Sequence, residues 1–195
     1  MKEKRDELTT EEKIIQATLD VIEEKTISET RMRCIAEKAD VYQSNLHYYY
    51  KSKKELLLEA QKEVAKRCIE LREEEKKNAT DNLESQLDVF LNQKLIFIKE
   101  EPKYDYAEID FWIQSRIDED FKEEFRRSFY GWRKELQTLI ETYATHMDQD
   151  KQVLLASVII SLLEGATIQY LIDKEAFSVD NYFTYCKELI LREMK

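Results

Sequence analysis

Glycine and proline are nearly absent from this chain, which has two glycines and one proline in 195 residues. Sheets joined by tight turns need residues that adopt positive φ, and glycine supplies that conformation most readily. The scarcity therefore disfavours a turn-rich β architecture and predicts an all-helical chain. Charged residues make up 37% and apolar residues 43% of the sequence, which suits helices with one solvated and one buried face.

Cysteine and histidine are also scarce, and their spacing matches no metal site. Cys34, Cys68 and Cys186 are far apart, and the histidines are His47 and His146. We therefore expect no metal, no cofactor, reduced thiols and a cytoplasmic setting. The first ten residues are charged without an apolar core, and no run of about 18 apolar residues occurs, so we expect neither a signal peptide nor a membrane span.

Positive charge is concentrated in one short region of an acidic chain. The formal net charge is −10, yet residues 31–54 carry six basic residues against two acidic ones. The six are Arg31, Arg33, Lys38, Lys51, Lys53 and Lys54. One end of the molecule can therefore attract a polyanion while the remainder repels it, which is a weak indication of nucleic-acid binding.

Apolar residues at spacings of three to four predict about nine helices. Three short helices separated by short breaks come first, a pattern typical of the helix-turn-helix unit, and long helices follow. We predict an N-terminal helix-turn-helix domain over residues 1–52 and a larger C-terminal helical bundle over residues 53–195, for ligand binding and dimerisation. A helix over 53–77 connects the two, with Ser52 as its cap, and Thr30 is predicted to cap the second helix.

The third predicted helix would present polar and aromatic side chains to solvent. In a helix-turn-helix unit this helix enters the DNA major groove with its N-terminal residues facing base edges. Gln and Asn pair bidentately with adenine, and Ser or His contacts a base or a phosphate. The residues predicted to be exposed are Tyr42, Gln43, Ser44, Asn45, His47 and Tyr48. The alternative is that they form only the polar face of an ordinary surface helix, which Val41 and Leu46 hold in place.

The stretch RMRCIAEKADVYQSNLHYYYKSKKELL resembles the signature of the tetracycline-repressor (TetR) family of transcription regulators. The family pattern reads loosely T-x-x-x-I-A-x-x-A-G-V-S-x-x-x-L-Y-x-Y-F-x-S-K-x-x-L, and it aligns here without a gap from Ile35 to Leu56. The matching residues are Ile35, Ala36, Ala39, Val41, Leu46, Tyr49, Ser52, Lys53 and Leu56, with Thr30 at the family's threonine. The resemblance covers about residues 10–60 and implies a DNA-binding head.

The resemblance also implies a role for individual residues. Arg31, Tyr48 and Lys53 would contact phosphates. The implied base-edge contacts are Gln43, Ser44, Asn45 and His47, with Tyr42 reaching a base or the backbone and Thr30 at the edge of the site. Tyr49 and Tyr50 would pack inward. The chain departs from the family at five places: Thr26 and Asp40 replace glycines, Tyr42 a serine, His47 a tyrosine and Tyr50 a phenylalanine.

Aromatic side chains concentrate in residues 97–143, which hold 11 of the 21 in the chain. Each is most simply core packing, but a bundle lined in this way is also where an apolar ligand pocket forms. Arg116 would orient a polar end of the ligand, or else pair with a neighbouring carboxylate of Asp118, Glu119 or Asp120. The predicted ligand-binding residues are Phe97, Phe111, Trp112, Arg116, Phe125 and Phe129.

The eighth predicted helix is apolar around nearly its whole circumference. Such a helix must be buried on all sides, so one face requires a partner. Small residues such as Gly165 would allow a second helix to approach closely. We therefore predict a homodimer through a four-helix interface made by the eighth and ninth helices of each copy. The predicted interface residues are Val158, Ser161, Leu162, Gly165 and Gln169.

These patterns together predict a DNA-binding transcription regulator. It would be a homodimeric repressor of a palindromic operator in double-stranded DNA, released by a small, largely apolar or aromatic effector. The alternative is a helical interaction protein on the same scaffold without specific DNA binding, since residues 1–67 carry no net charge. An enzyme is disfavoured, because the sequence contains no nucleophile–base pair, no metal-ligand spacing and no glycine-rich phosphate loop.

Overall fold

The protein is described by a computed structural model over residues 8–195. Within that range it forms nine helices and no strand, which confirms the predicted all-α fold of about nine helices. The helices are α1 Thr10–Glu29, α2 Met32–Ala39, α3 Gln43–Tyr49, α4 Lys53–Lys76, α5 Leu83–Lys99, α6 Pro102–Gln114, α7 Glu119–Tyr143, α8 Gln149–Asp173 and α9 Val179–Glu193.

Several helices begin where the sequence offers a capping side chain. Thr9 and Glu12 form a reciprocal capping box at the start of α1. The Ser52 hydroxyl accepts from the Glu55 backbone N–H at 3.1 Å, so the predicted cap of α4 is confirmed. Asp118 accepts from the Asp120 N–H at 3.0 Å at the start of α7.

The end of α1 differs from the prediction. The helix continues to Glu29 across a kink at Thr26, whose φ is 73° and ψ is 160°. The Thr30 hydroxyl donates to the Thr26 carbonyl oxygen at 2.7 Å, so Thr30 closes α1. The prediction that Thr30 caps α2 is therefore wrong, and Arg31 stands before α2 without a side-chain cap bond.

The chain divides into two compact units. The first comprises the described residues up to Arg67 together with Pro102–Phe125, and the second comprises Cys68–Glu101 and Arg126–Lys195. Helices α4 and α7 each run through a boundary between units. The first unit is larger than the predicted domain 1–52 because α6 packs along α1.

The first unit has a small apolar core that orients α3. Leu46 and Tyr50 are 0% and 3% exposed, and they anchor α3 and the residue after it to α1 and α2. Val41 packs against the same cluster. The buried members are Ile14, Ala17, Val21, Ile35, Ala36, Ala39, Leu46, Tyr50 and Leu56.

The second unit has a larger core built from α5, α7, α8 and α9. Lys94 and Glu164 lie inside it, and the Lys94 ammonium is 3.2 Å from both carboxylate oxygens. Among the described residues, α8 alone is long and apolar enough to match a membrane span by length and composition. Of its most apolar window 44% is buried, and one such helix is weak evidence for a span, since core helices meet the same criteria of length and composition.

Candidate nucleic-acid interface

Helix α3 exposes the residues that the sequence predicted for reading DNA. Tyr42 is 81% and Tyr48 is 83% exposed. Gln43, Ser44, Asn45 and His47 are exposed as well. The buried Leu46 fixes which side of the helix faces inward. The predicted reading residues are therefore free to contact a base or phosphate.

The turn before α3 forms although its glycine is missing. Asp40 adopts the left-handed conformation, with φ 56° and ψ 46°. Its N–H donates to the Glu37 carbonyl at 3.3 Å, and the Val41 N–H donates to the Ala36 carbonyl at 3.0 Å. These two bonds form the Schellman pattern that ends a helix with a left-handed residue. Aspartate tolerates this conformation better than most residues, so the turn forms despite the substitution.

The three consecutive tyrosines have separate environments. Tyr50 is buried, as predicted, and burial raises the pKa of its hydroxyl well above the ordinary value. Tyr49 is 38% exposed, and its ring meets the edge of Tyr48 at 5.3 Å between centroids. The prediction that Tyr49 packs inward is wrong, because Leu46 and Tyr50 already occupy the core positions of this turn.

Four of the six basic residues in the region 31–54 are engaged within the protein. Three pair with carboxylates: Arg33 with Glu37, Lys38 with Glu24, and Lys54 with both Asp118 and Asp120. The hydrogen bond from Lys54 also holds the pKa of Asp118 below its ordinary value. The fourth is Lys53, whose ammonium donates to the Ile27 carbonyl at 2.6 Å.

Lys53 is therefore bonded within the protein, whereas the family resemblance implied that it contacts a phosphate. Its side chain is half-buried, and burial lowers the pKa of its ammonium. Thr30 differs in a similar way, because it is 1% exposed and its hydroxyl is bonded to Thr26. In this structure neither side chain offers a free group to DNA.

Arg31 and Lys51 are the two remaining cations of the region. Both are exposed, and neither forms an ion pair with any residue in 8–195. The assignment of Arg31 to a phosphate contact stays a prediction, and Lys51 is a second exposed cation that the sequence analysis did not single out as a site residue. The sequence does offer one signal for Lys51, because this residue directly precedes the helix cap Ser52. In the structure its backbone N–H donates a hydrogen bond to the Glu55 carboxylate at 2.8 Å.

The predicted ligand-binding residues are distributed over both units. In the first, the Phe111 ring stacks on Phe121 at 5.7 Å and the Trp112 ring lies 6.2 Å from Phe125. Arg116 is exposed and forms no ion pair with the described residues. In the second, Phe97 is fully buried and Phe129 stacks on Trp132 at 6.5 Å.

Buried polar atoms without a partner mark part of the first aromatic group. The Gln61 side chain is 5% exposed and donates to the Phe121 carbonyl at 3.1 Å. Among the residues that the structure describes, neither the Gln61 Oε1 nor the Trp112 Nε1 has a hydrogen-bond partner. A buried polar atom without a partner is unusual and is a natural contact for a ligand or water. Sequence reasoning missed Gln61, because a glutamine within a helical stripe carries no distinctive signal.

A surface groove lies elsewhere, between α7 and α8 of the second unit. Its volume is about 270 Å³. Its lining residues are Tyr130, Arg133, Lys134, Gln137, Val153 and Ala156, and they include no predicted ligand-binding residue.

The second unit also exposes apolar residues along α8 and α9. Of the predicted interface residues, Val158 is 43% exposed, Ser161 and Gln169 are exposed, and Leu162 and Gly165 are half-buried. The apolar residues exposed beside them are Val153, Leu154, Ile168, Ile172, Tyr185 and Leu189. Leu154 and Ile172 are 64% and 79% exposed, so this surface is larger than the sequence indicated.

The fold and the exposed α3 define a helix-turn-helix DNA-binding protein of the all-α class. Residues 14–60 match the sequence model described as bacterial regulatory proteins, tetR family. Residues 106–194 match the one described as BetI-type transcriptional repressor, C-terminal. The two matches together span well over half of the chain, and the protein belongs to the TetR family of transcription regulators.

Solved structures share the fold over nearly the whole chain. A transcriptional regulator from Rhodococcus sp. Rha1 is 14% identical with a TM-score of 0.83, covering 95% of this chain and 97% of that one. A protein from Saccharomonospora viridis, solved in complex with choline, is 20% identical with a TM-score of 0.81, covering 92% and 94%. The fatty acid degradation regulator FadR from Bacillus halodurans is 15% identical with a TM-score of 0.74, covering 95% and 96%. No functionally curated protein matches this chain significantly.

Proposed function

We propose that this TetR-family regulator is a homodimeric repressor that binds a palindromic operator in the cytoplasm. The observation that carries the proposal is α3, which holds six exposed residues on a helix anchored by Leu46 and Tyr50. Helix-turn-helix dimers place two such helices about one DNA turn apart, so each reads half of a palindrome. We assign the protein no catalytic activity.

We further propose that a small, largely apolar or aromatic effector releases the repressor from DNA. The support is the aromatic group of Phe111, Trp112 and Phe125, with Gln61 and Trp112 offering unpaired polar atoms. One protein of the same fold was solved in complex with choline, so the fold can hold a small organic molecule. A ligand that binds only one of two states of the regulator shifts the equilibrium toward that state.

A helical interaction protein without specific DNA binding is the second candidate. The observation that favours it is the engagement of Lys38, Lys53 and Lys54 within the protein. Salt dependence separates the two candidates, since neutralised phosphates release counterions and specific binding then weakens steeply with salt.

The proposal is tested by selecting duplexes from a random pool with the purified protein. We expect the retained duplexes to share a palindrome whose half-sites are about one helical turn apart. If the retained duplexes share no common sequence, specific DNA binding is refuted and the helical interaction protein is the remaining candidate.

Matched variants refine the same experiment. Gln43→Ala removes a side chain assigned to a base edge, and it should relax preference at one position at a cost of about 1–3 kcal/mol. Tyr48→Phe removes a hydroxyl assigned to a phosphate, and it should weaken binding to all sequences about equally. An altered preference with Tyr48→Phe would show that the assignment of Tyr48 to phosphate is wrong.

A further inference from the structure

The backbone of Ile27 is held on both sides by charged side chains. Its N–H donates to the Asp110 carboxylate on α6 at 2.6 Å, and its carbonyl accepts from the Lys53 ammonium at the start of α4 at 2.6 Å. All three residues belong to the first unit. Hydrogen bonds with a charged partner are about twice as strong as those between neutral groups.

Ile27 follows a residue with a strained backbone. Thr26 has φ 73° and ψ 160°, a region occupied almost only by glycine. Such a conformation persists only where the surrounding structure enforces it. The Thr26 carbonyl accepts from the Thr30 N–H at 3.1 Å and from the Thr30 hydroxyl at 2.7 Å, and the two bonds to Ile27 hold the residue that follows. Together they hold the kink near the end of α1.

We propose that Lys53 and Asp110 are positioning residues for DNA binding, acting through the Ile27 backbone rather than by contact with DNA. The pair, here called the Ile27 clamp, fixes the direction of the last turn of α1 after the kink at Thr26, and hence where α2 and α3 lie. It also ties α6 to this last turn within the first unit. The inference rests on the proposed DNA-binding function.

The geometry supports a positioning role for Lys53 over a phosphate contact. The ammonium is half-buried and already bonded, so a phosphate would have to displace the Ile27 carbonyl. Lys51 is two residues earlier, exposed and without an ion pair to the described residues. Lys51 therefore provides a matched comparison in which phosphate contact is the simpler role.

The test is the slope of log K against log salt concentration for the duplex selected by the wild-type protein. A phosphate contact contributes about 0.9 to that slope, so Lys51→Met should reduce it by about 2 in a dimer. Lys53→Met and Asp110→Ala should each weaken binding about tenfold at every salt concentration and leave the slope unchanged. Asp110→Asn keeps an acceptor oxygen for the Ile27 N–H and should restore most of the affinity.

The combination of variants adds a second readout. Lys53→Met and Asp110→Ala act on the backbone of the same residue, so the double variant should lose less affinity than the product of the two single losses. A salt slope reduced by Lys53→Met as much as by Lys51→Met would overturn the proposal. If Lys53→Met does not fold, the DNA affinities of Asp110→Asn and Asp110→Ala still test the proposal. Equal losses of affinity in these two variants would contradict the clamp. Wild-type protein that selects no duplex would instead refute the proposed function.

Discussion

Thr26 occupies a backbone conformation that costs a residue with a side chain about 1–3 kcal/mol. Among the described residues only Thr26 and Asp40 have positive φ without being glycine, and both stand where the TetR pattern has glycine. The first unit therefore keeps two turns of the family with residues that fit them poorly. Asp40 is tolerated because aspartate visits the left-handed region, whereas threonine at φ 73° has no such allowance.

Thr26→Gly should therefore raise the free energy of unfolding by about 1 kcal/mol, since the released strain exceeds the entropy that glycine loses on folding. The measurement is urea denaturation at fixed protein concentration. Ser28→Gly is the matched control: Ser28 is exposed two residues further along without positive φ, so glycine there should lower stability. Equal effects of the two substitutions would mean that Thr26 is not strained.

Within single elements, the local pattern of apolar and capping residues predicted several features correctly. Apolar spacing indicated Leu46 as the anchor of α3, and the serine before a run of helix formers indicated the cap of α4. Tyr49 was misplaced because spacing does not distinguish neighbouring aromatic residues when Leu46 and Tyr50 already fill the core.

Contacts between elements could not be predicted from the sequence, for a physical reason. Lys53 and Ile27 are 26 positions apart, and Ile27 and Asp110 are 83 apart. No local periodicity reports which residues such distances bring together. The Gln61 oxygen and the carboxylate partners of Lys54 were missed on the same ground.

Two ion pairs made by lysines of α5 differ in how far they are buried. Lys94 is 1% exposed and contacts Glu164 on α8, whereas Lys99 lies at the surface and contacts Asp180 on α9 at 2.6 Å. Removing one partner of a buried pair leaves an uncompensated charge, at a cost of about 3–5 kcal/mol. An exposed pair contributes about 0–1 kcal/mol.

Lys94→Met should thus reduce the free energy of unfolding several times more than Lys99→Met does. Thermal and urea denaturation of the two variants give the comparison directly. A loss for Lys94→Met as small as for Lys99→Met would show that Glu164 finds solvent or another partner when its lysine is removed.

At the scale of the whole molecule, two surfaces stand apart from the acidic remainder. One is α3 with Arg31 and Lys51, and the other is the apolar surface of α8 and α9. An exposed apolar surface rimmed by polar residues is typical of an interface between proteins. The proposed dimer would cover it and give one operator two reading heads.

Gly165 and Gly131 test that assembly. A Cβ built on either residue meets nothing within 4 Å, so the first side-chain atom added at either position causes no clash within the described chain. Gly165→Leu should weaken the dimer at least about tenfold if α8 packs closely on its copy, the cost of a tightly packed contact. Gly131→Leu on α7 should leave the dimer unchanged. Sedimentation over a range of protein concentrations measures both, and equal dissociation constants would contradict the interface.

The most direct measurement of the central claim is a titration of the wild-type protein with its selected palindrome and with a shuffled duplex of equal length and composition. At physiological salt we expect the palindrome to bind at least about 10³ times more tightly, the lower range for specific regulators. Binding of the two duplexes with the same affinity would contradict the conclusion that α3 of this protein reads sequence.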